Sequence, residues 1–505
     1  VTESQSSYRK IFKATSLFGG VQVFQIIIGI VRTKFVAVLL GTAGVGIMGL
    51  FNAPLQLILS VTGLGITFSA VRDISEAYES NDQIKISRTV LILYRWSWFA
   101  GILGTLVTIV LAPFLSKSTF GNADYTWAFI WLSLTMLMQT LSNGQKAVIQ
   151  ATRRLKDLAK ASVYGSLFGL FTAVPLYYYF GIKGIVPSLV ITALTGLLLS
   201  WYFSRKVNVE NVKMTWRDTL ISGENMIKLG LVITVTGIIG FFTGYILNAF
   251  ISRTGGVDQV GLYNAGWNII GQSTGLVFAA MTTDYFPRLS AINKDDEKIN
   301  RLVNQQAEMV LLILGPILIL LIGAMPVLIH MLYTRAFLPV VIFANWMLMG
   351  ILLKGLVWSV GFIFPAKGDL KAFGIIEVTA MVFNILTNML GYFAYGLEGL
   401  GISFIVNYLF GLTLTLVYAR RKYGFRYDRE TIRSFFISLG MVALVFIVSY
   451  FLEGLPRYIF GSVVLAASVF YSFKELDKRL NLMPIIKKYL GIFRKDNNST
   501  GEGIK

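Results

Sequence analysis

The stretch "MVLLILGPILILLIGAMPVLIHML", Met309–Leu332, contains no Asp, Glu, Lys or Arg. As a helix rising about 1.5 Å per residue, it crosses the roughly 30 Å hydrocarbon core of a bilayer. As a strand it lacks the apolar–polar alternation that a transmembrane barrel requires. Runs of the same kind recur along the chain, Ile102–Pro113 among them. Of the 505 residues, 55% are hydrophobic and only 14% are charged, too few charges to clothe a soluble fold of this length. The sequence predicts an all-α polytopic membrane protein.

Hydropathy predicts fourteen spans, at 14–38, 44–70, 89–113, 125–147, 160–180, 184–204, 228–251, 260–283, 308–332, 339–364, 371–395, 399–419, 434–452 and 457–473. With the N-terminus inside, thirty-five of the 45 Lys and Arg residues fall in cytoplasmic segments. Five fall outside: Lys117, Lys183, Arg253, Arg335 and Arg457. That asymmetry obeys the positive-inside rule and places both termini in the cytoplasm. It also accounts for the net charge of +19 without invoking nucleic acid. The polar start "VTESQSSYRKIFK" (1–13) reads as a cytoplasmic lead-in rather than a cleaved signal. The tail "FKELDKRLNLMPIIKKYLGIFRK" (473–495) mixes apolar and basic residues and is expected to lie on the anionic leaflet.

The composition also excludes functions. There is no cysteine and a single histidine, His330, so thiol chemistry, His-rich metal sites and a serine triad with a spare histidine have no support. No G-x-x-x-x-G-K-[ST] phosphate loop is present. The outer connections are too short for a catalytic domain. No cofactor is expected beyond a coupling proton or Na⁺.

The chain repeats at an offset of 215 residues. Gly41 falls on Gly256, and Val45-Gly46 on Val260-Gly261. "GIKGIVPS" (181–188) falls on "GLEGLGIS" (396–403), and Lys156 on Lys371. The shift moves span 1 onto span 7, an even displacement, so the repeats run parallel in the membrane. The expected organisation is an N-terminal lobe over 1–207 and a C-terminal lobe over 208–425, around a central cavity. A further helix pair with a basic cytoplasmic tail follows over 426–505. Two parallel lobes that rock about a cavity suit a transporter.

"KFVAVLLGTAGVGIMGLFN" (34–52) and "GLGITFSAVRDISEA" (63–77) resemble the opening of bacterial O-antigen and polysaccharide flippases of the Wzx type. "VGLYNAGWNIIGQSTGLVFAAMTTDYFPRLSAI" (260–292) resembles the start of their second lobe. "GILLKGLVWSVGFIFPAKGDLKAFGIIEV" (350–378) resembles a third family stretch, a helix with an internal Lys followed by one with an internal Glu. The resemblance covers most of residues 10–425 and extends to the multidrug/oligosaccharidyl-lipid/polysaccharide (MOP) exporter superfamily. It implies movement of an undecaprenyl-pyrophosphate-linked oligosaccharide, an O-antigen or related polysaccharide repeat unit, between leaflets of the bacterial inner membrane. Membrane lipids and other polysaccharide-assembly membrane proteins would be its partners. The fourteen spans resemble the lipid II flippase branch, where an extra helix pair makes a groove for a lipid tail; spans 13 and 14 either do something similar or are an appended pair with another role.

Such a substrate needs fixed positive charge and hydrogen-bonding side chains within the membrane. Among basic residues inside spans, Lys354, Arg32, Lys34 and Arg95 are the candidates for the cavity. Lys354 stands about ten residues, roughly 15 Å, from the cytoplasmic end of its span. An ammonium there faces a wet cavity or a partner. Two readings stay open for it: a phosphate or sugar contact, and an ion pair with Glu377 in the next span. Arg95 is near enough to its helix end to snorkel instead. Asn52, Gln56, Asn264, Asn268, Gln272, Asn384 and Asn388 are candidate polar wall residues. Asn264, Asn268 and Gln272 share one helix face by their i, i+4, i+8 spacing, although such residues also serve as packing glue. Arg72, Asp73, Asp284 and Arg288 close the second and eighth spans, and Asp73 falls on Arg288 under the repeat shift. They are either a cytoplasmic gate or ordinary surface ion pairs.

The second functional reading is a cation-coupled multidrug or small-molecule exporter of the same superfamily. Typical members of that branch carry an acid in the first helix, and "ATSLFGGVQVFQIIIGIV" (14–31) has none. A membrane-embedded glycan polymerase or transferase is the third, and the outer loops offer it little beyond Asp124 and Asp258.

Overall fold

The structure is a computed structural model that describes residues 3–80, 82–210, 212–452 and 454–480. Both chain ends, and the tail beyond 480 expected on the membrane surface, lie outside the described residues. All regular structure among the described residues is helical. Helix α1 covers Glu3–Thr62, α2 Ile66–Glu79, α3 Gln83–Phe120 and α4 Thr126–Ala151. A 3₁₀ turn, Gly181–Gly184, joins α5 (Leu155–Phe180) to α6 (Ile185–Ser204). Then come α7 (Trp216–Gly255), α8 (Val257–Ala291) and α9 (Asp296–Leu332). After a second 3₁₀ turn at Arg335–Phe337 follow α10 (Val340–Gly361), the short α11 (Ile363–Ala366) and α12 (Leu370–Tyr423). Helices α13 (Arg429–Phe451) and α14 (Leu455–Leu480) form the last pair.

Several helices start at a side-chain cap. Asp82 accepts from the Lys85 amide, Asp369 from Ala372 and Asp428 from Thr431. Thr215 and Asp218 form a reciprocal capping box at α7. Each cap satisfies an amide that the helix leaves without an acceptor, worth about 1 kcal/mol.

Eight helical segments among the described residues are long and apolar enough to cross a membrane. Three have double length: Phe24–Thr62, Leu155–Ser204 and Leu370–Tyr423. Backbone breaks divide them. Gly41 interrupts α1 at φ 65°, ψ −163°. Gly181 separates α5 from α6 at φ 55°, ψ −134°, and Gly396 breaks α12 at φ 58°, ψ −134°. Helices α4, α7 and α8, read as spans in the sequence, are not among the eight.

The backbone repeats at the 215-residue offset. Gly181 and Gly396 share one left-handed conformation, and Gly41 and Gly256 are both left-handed. A Cβ on Gly184 would overlap the Leu176 carbonyl, and one on Gly399 would overlap the Gly391 carbonyl, again 215 residues on. Buried tyrosines, Tyr177 and Tyr392, stand at the same offset. Gly46 lies against the Val257 carbonyl while Gly261 lies against that of Thr42, a reciprocal contact between equivalent turns.

Two compact units divide the chain. The first holds the residues up to Ala265 together with Ile329–Pro339. One of its cores surrounds Phe51, whose ring meets Phe120, Tyr125 and Phe129 at centroid distances of 5.2, 5.8 and 5.4 Å. Another packs α2 against α3 and α4 through Ile74, Val90, Leu93 and Val148. By packing, α7 belongs to this unit, whereas the repeat assigns it to the second half of the sequence.

The second unit holds Gly266–Leu328 and the residues from Val340 onward. Its core gathers Tyr285, Val303, Val360, Phe364 and Phe425. The α13–α14 pair is fastened to α9 at two levels. Arg479 binds the buried Glu308 through Nε at 2.7 Å and through Nη2, while the Ser434 hydroxyl donates to the same carboxylate at 3.0 Å. Towards the other end, Arg457 donates to the Ile322 carbonyl at 3.0 Å.

Candidate functional site

A polar cavity of about 330 Å³ lies within the first unit. Helix α1 supplies Arg32 and Asn52, α4 supplies Gln139, Ser142 and Asn143, and α6 supplies Thr192. Among the described residues, no Asp or Glu lines it. The walls therefore offer one permanent cation and several neutral amide and hydroxyl groups, a set suited to an anionic or hydroxyl-rich group and poorly suited to a cation. The α6 wall is held by hydrogen bonds from Ser142 to the Gly196 carbonyl (3.3 Å) and from Ser200 to Ser142 (3.0 Å). The buried Thr192 hydroxyl has no partner among the described residues. A smaller cavity of about 170 Å³, lined by Ser60, Thr67, Ser97, Thr140 and Thr234, shares Asn143 with the first.

Other candidates have different tasks. Lys34 Nζ donates to the carbonyls of His330 (2.7 Å) and Tyr333, capping the C-terminal end of α9. Arg95 holds the segment entering α7: its guanidinium donates to the carbonyls of Met214 (2.8 Å) and Thr215 (3.0 Å) and to the Thr219 hydroxyl (2.6 Å). It also stacks over Trp216, 5.0 Å from the ring centroid. Neither basic group is among the cavity-lining residues: Lys34 is consumed by carbonyls at the C-terminal end of α9, and Arg95 by carbonyls of the segment that enters α7.

Asn264 donates to Asn248 at 2.8 Å within the first unit. Asn268 and Gln272 are exposed on the next two turns of α8. Asn388 donates to Asn384, one turn back, at 3.1 Å, which makes this pair local glue. Gln56 is half-buried and lines neither cavity. The proposed gate charges pair inside their own helices, Arg72 with Asp73 at 2.8 Å and Arg288 with Asp284 at 3.0 Å.

In the second unit, Lys354 is half-buried and its ammonium sits 5.2 Å from the centroid of the Phe278 ring. Among the described residues it forms no ion pair with Glu377, and Glu377 has no ion-pair partner. The ring face replaces the carboxylate anticipated from the sequence.

The α4 and α6 polar groups were missed in the sequence reading. Their signal was present: "MQTLSNGQK" (138–146) packs six polar side chains around Leu141 and Gly144 in an otherwise apolar span.

Among its described residues the chain is all-helical, with eight segments long and apolar enough to cross a membrane, and comparison with known proteins gives its family. Residues 35–342, more than half of the chain, match the family described as polysaccharide biosynthesis protein. The chain belongs to that family. Residues 225–470 also match the lipid II flippase MurJ family. The Lipid III flippases of Escherichia coli (strain K12) and Shigella flexneri are each 22% identical over 357 residues, 70% of this chain and 84% of theirs. The fold is similar to lipid II flippase MurJ in an inward closed conformation, with TM-score 0.68 and 12% identity over 92% of this chain and 99% of that one. It is also similar to an inward-facing multidrug resistance MATE transporter of the MOP superfamily, with TM-score 0.64 and 14% identity over 79% of this chain and 94% of that one.

Proposed function

We propose that this protein moves an undecaprenyl-pyrophosphate-linked oligosaccharide, an O-antigen or related polysaccharide repeat unit, from the cytoplasmic to the periplasmic leaflet of a bacterial inner membrane by alternating access. The observation that carries this reading is the cavity built on Arg32 with no acid in its walls. A drug cation would meet a fixed like charge there, and a pyrophosphate would meet a guanidinium and neutral donors. The family and the Lipid III flippase relatives support a lipid-linked substrate. The backbone repeats at Gly181/Gly396 and Gly184/Gly399 support two parallel six-helix lobes. The double-length helices support fourteen spans, with both termini cytoplasmic by the positive-inside rule.

The test is reconstitution of the purified full chain into proteoliposomes carrying a fluorescent undecaprenyl-pyrophosphate disaccharide in the inner leaflet. A membrane-impermeant glycosidase outside then reports arrival. The chain is expected to accelerate arrival over protein-free vesicles. Arg32→Ala is expected to slow it by about tenfold or more, the value of a charge-assisted hydrogen bond. Movement of cationic dyes without movement of the lipid would reject this reading in favour of a multidrug exporter.

A further inference from the structure

Helix α10 is buried over most of its surface, including Ile351–Leu353, Gly355, Leu356, Ser359 and Val360. Its C-terminal half leaves a half-open stripe, Lys354, Trp358 and Gly361 with Val357 beside it, which Phe362 extends just past the helix end. Rings of α8 pack beneath the stripe within the same unit: Phe278 and Tyr285 are buried under it and Phe286 is open at its edge. Trp358 meets Phe278 and Tyr285 at 5.5 Å each, and Phe362 meets Tyr285 and Phe286 at 5.7 Å each. Phe286 is 37% exposed. Two donors on this strip lack acceptors among the described residues: the Lys354 ammonium, which has only the Phe278 ring, and the Trp358 indole N–H.

Ordinary packing does not call for this combination. An indole buried for its area normally finds an acceptor for its N–H, and an ammonium at membrane depth normally finds an anion or water. Here both donors sit at the open edge of an aromatic surface. The arrangement matches the two chemistries of a pyranose. Its axial C–H face is apolar and packs on an aromatic ring, and its hydroxyl or carbonyl oxygens accept hydrogen bonds at the ring's rim.

We propose that the Lys354–Trp358 strip of α8 and α10 is a saccharide-binding site, with Trp358 as the stacking platform and Lys354 as the donor at its edge. The inference rests on the transport reading above and deepens it. It assigns the sugar, rather than the lipid-borne phosphates, to this strip. Because the pyranose C–H face is common to hexoses, the strip does not require one particular glycan.

The experiment compares binding of two probes to the purified full chain by native mass spectrometry: undecaprenyl pyrophosphate, and undecaprenyl-pyrophosphate-linked diacetylchitobiose. The wild type is expected to bind the glycosylated probe more tightly by roughly tenfold, the size of one good stacking contact with its hydrogen bond. Trp358→Ala is expected to abolish that preference. Trp358→Phe, which keeps a ring and preserves packing, is expected to retain part of it. A wild type without preference, or a preference unchanged in Trp358→Ala, overturns the site. If Trp358→Ala does not fold, a Trp358→Phe variant with the full wild-type preference overturns the role of the indole. A wild type that binds neither probe overturns the transport reading itself.

Discussion

Arg32, Lys34 and Arg95 are alike in the sequence, basic groups inside apolar spans, yet they meet different surroundings. Lys34 spends its donors on carbonyls at the C-terminal end of α9 and Arg95 on carbonyls and a hydroxyl where the chain enters α7, while Arg32 lines a polar cavity. Arg95→Ala should therefore lower stability by about 2 kcal/mol, the loss of a charged hydrogen-bond cluster and its Trp216 contact. Thermal unfolding in detergent would register that loss, with binding of undecaprenyl pyrophosphate preserved in the folded fraction. Asp369 supplies a pH-dependent prediction. The Lys422 ammonium (2.6 Å) and the Tyr423 hydroxyl (2.6 Å) hold its carboxylate down to about 2, below the ordinary 3.8. A folded-state value lowered in this way stabilises the fold above pH 4, and the contribution is lost as pH falls from about 4 towards 2. Melting curves across that window should show a smaller acid loss for Asp369→Asn than for the wild type. Equal losses would remove Asp369 from the account.

At the scale of elements, the double-length helices depend on glycine. Gly181 and Gly396 adopt positive φ with ψ near −134°, a conformation costly for any side chain. Open space surrounds both, so the cost is backbone strain alone. Gly396→Ala should destabilise by about 1–3 kcal/mol. Gly399→Ala should be worse, because its Cβ would overlap the Gly391 carbonyl. Monodisperse yield and melting temperature of the two variants would rank them, and the reverse order would contradict the packing argument. The same kinks interrupt each of the three longest candidate spans. The final helix pair is held to α9 by charge, through Arg479 and the buried Glu308, rather than by apolar packing alone.

For the whole molecule, transport needs an energy source, and the chain has no phosphate loop. Glu377, half-buried and without an ion-pair partner among the described residues, is the proposed binding group for a coupling proton or Na⁺. In proteoliposomes, collapse of one of these gradients should slow wild-type transport severalfold. Glu377→Gln should run at the slowed rate whether or not the gradient is present. A wild type indifferent to both gradients would leave consumption of the product as the driving force.

Membrane class and the 215-residue glycine repeat were legible in the amino-acid order, because they depend on quantities local to the chain. Hydropathy over about 20 residues reports bilayer crossing, and glycines at a 215-residue offset report shared kinks. The candidate site was legible only in part. Arg32 and Asn52 were found because they are polar in an apolar run, and the same criterion also selected Lys34 and Arg95. What separates these residues is the partner across space, an open carbonyl for some and a cavity for others. Likewise Lys354 and Glu377 look like an ion pair along the chain, while in three dimensions the ammonium rests on the Phe278 ring. An ionised side chain declares its need for a partner in the sequence, but helix packing determines which partner lies within reach.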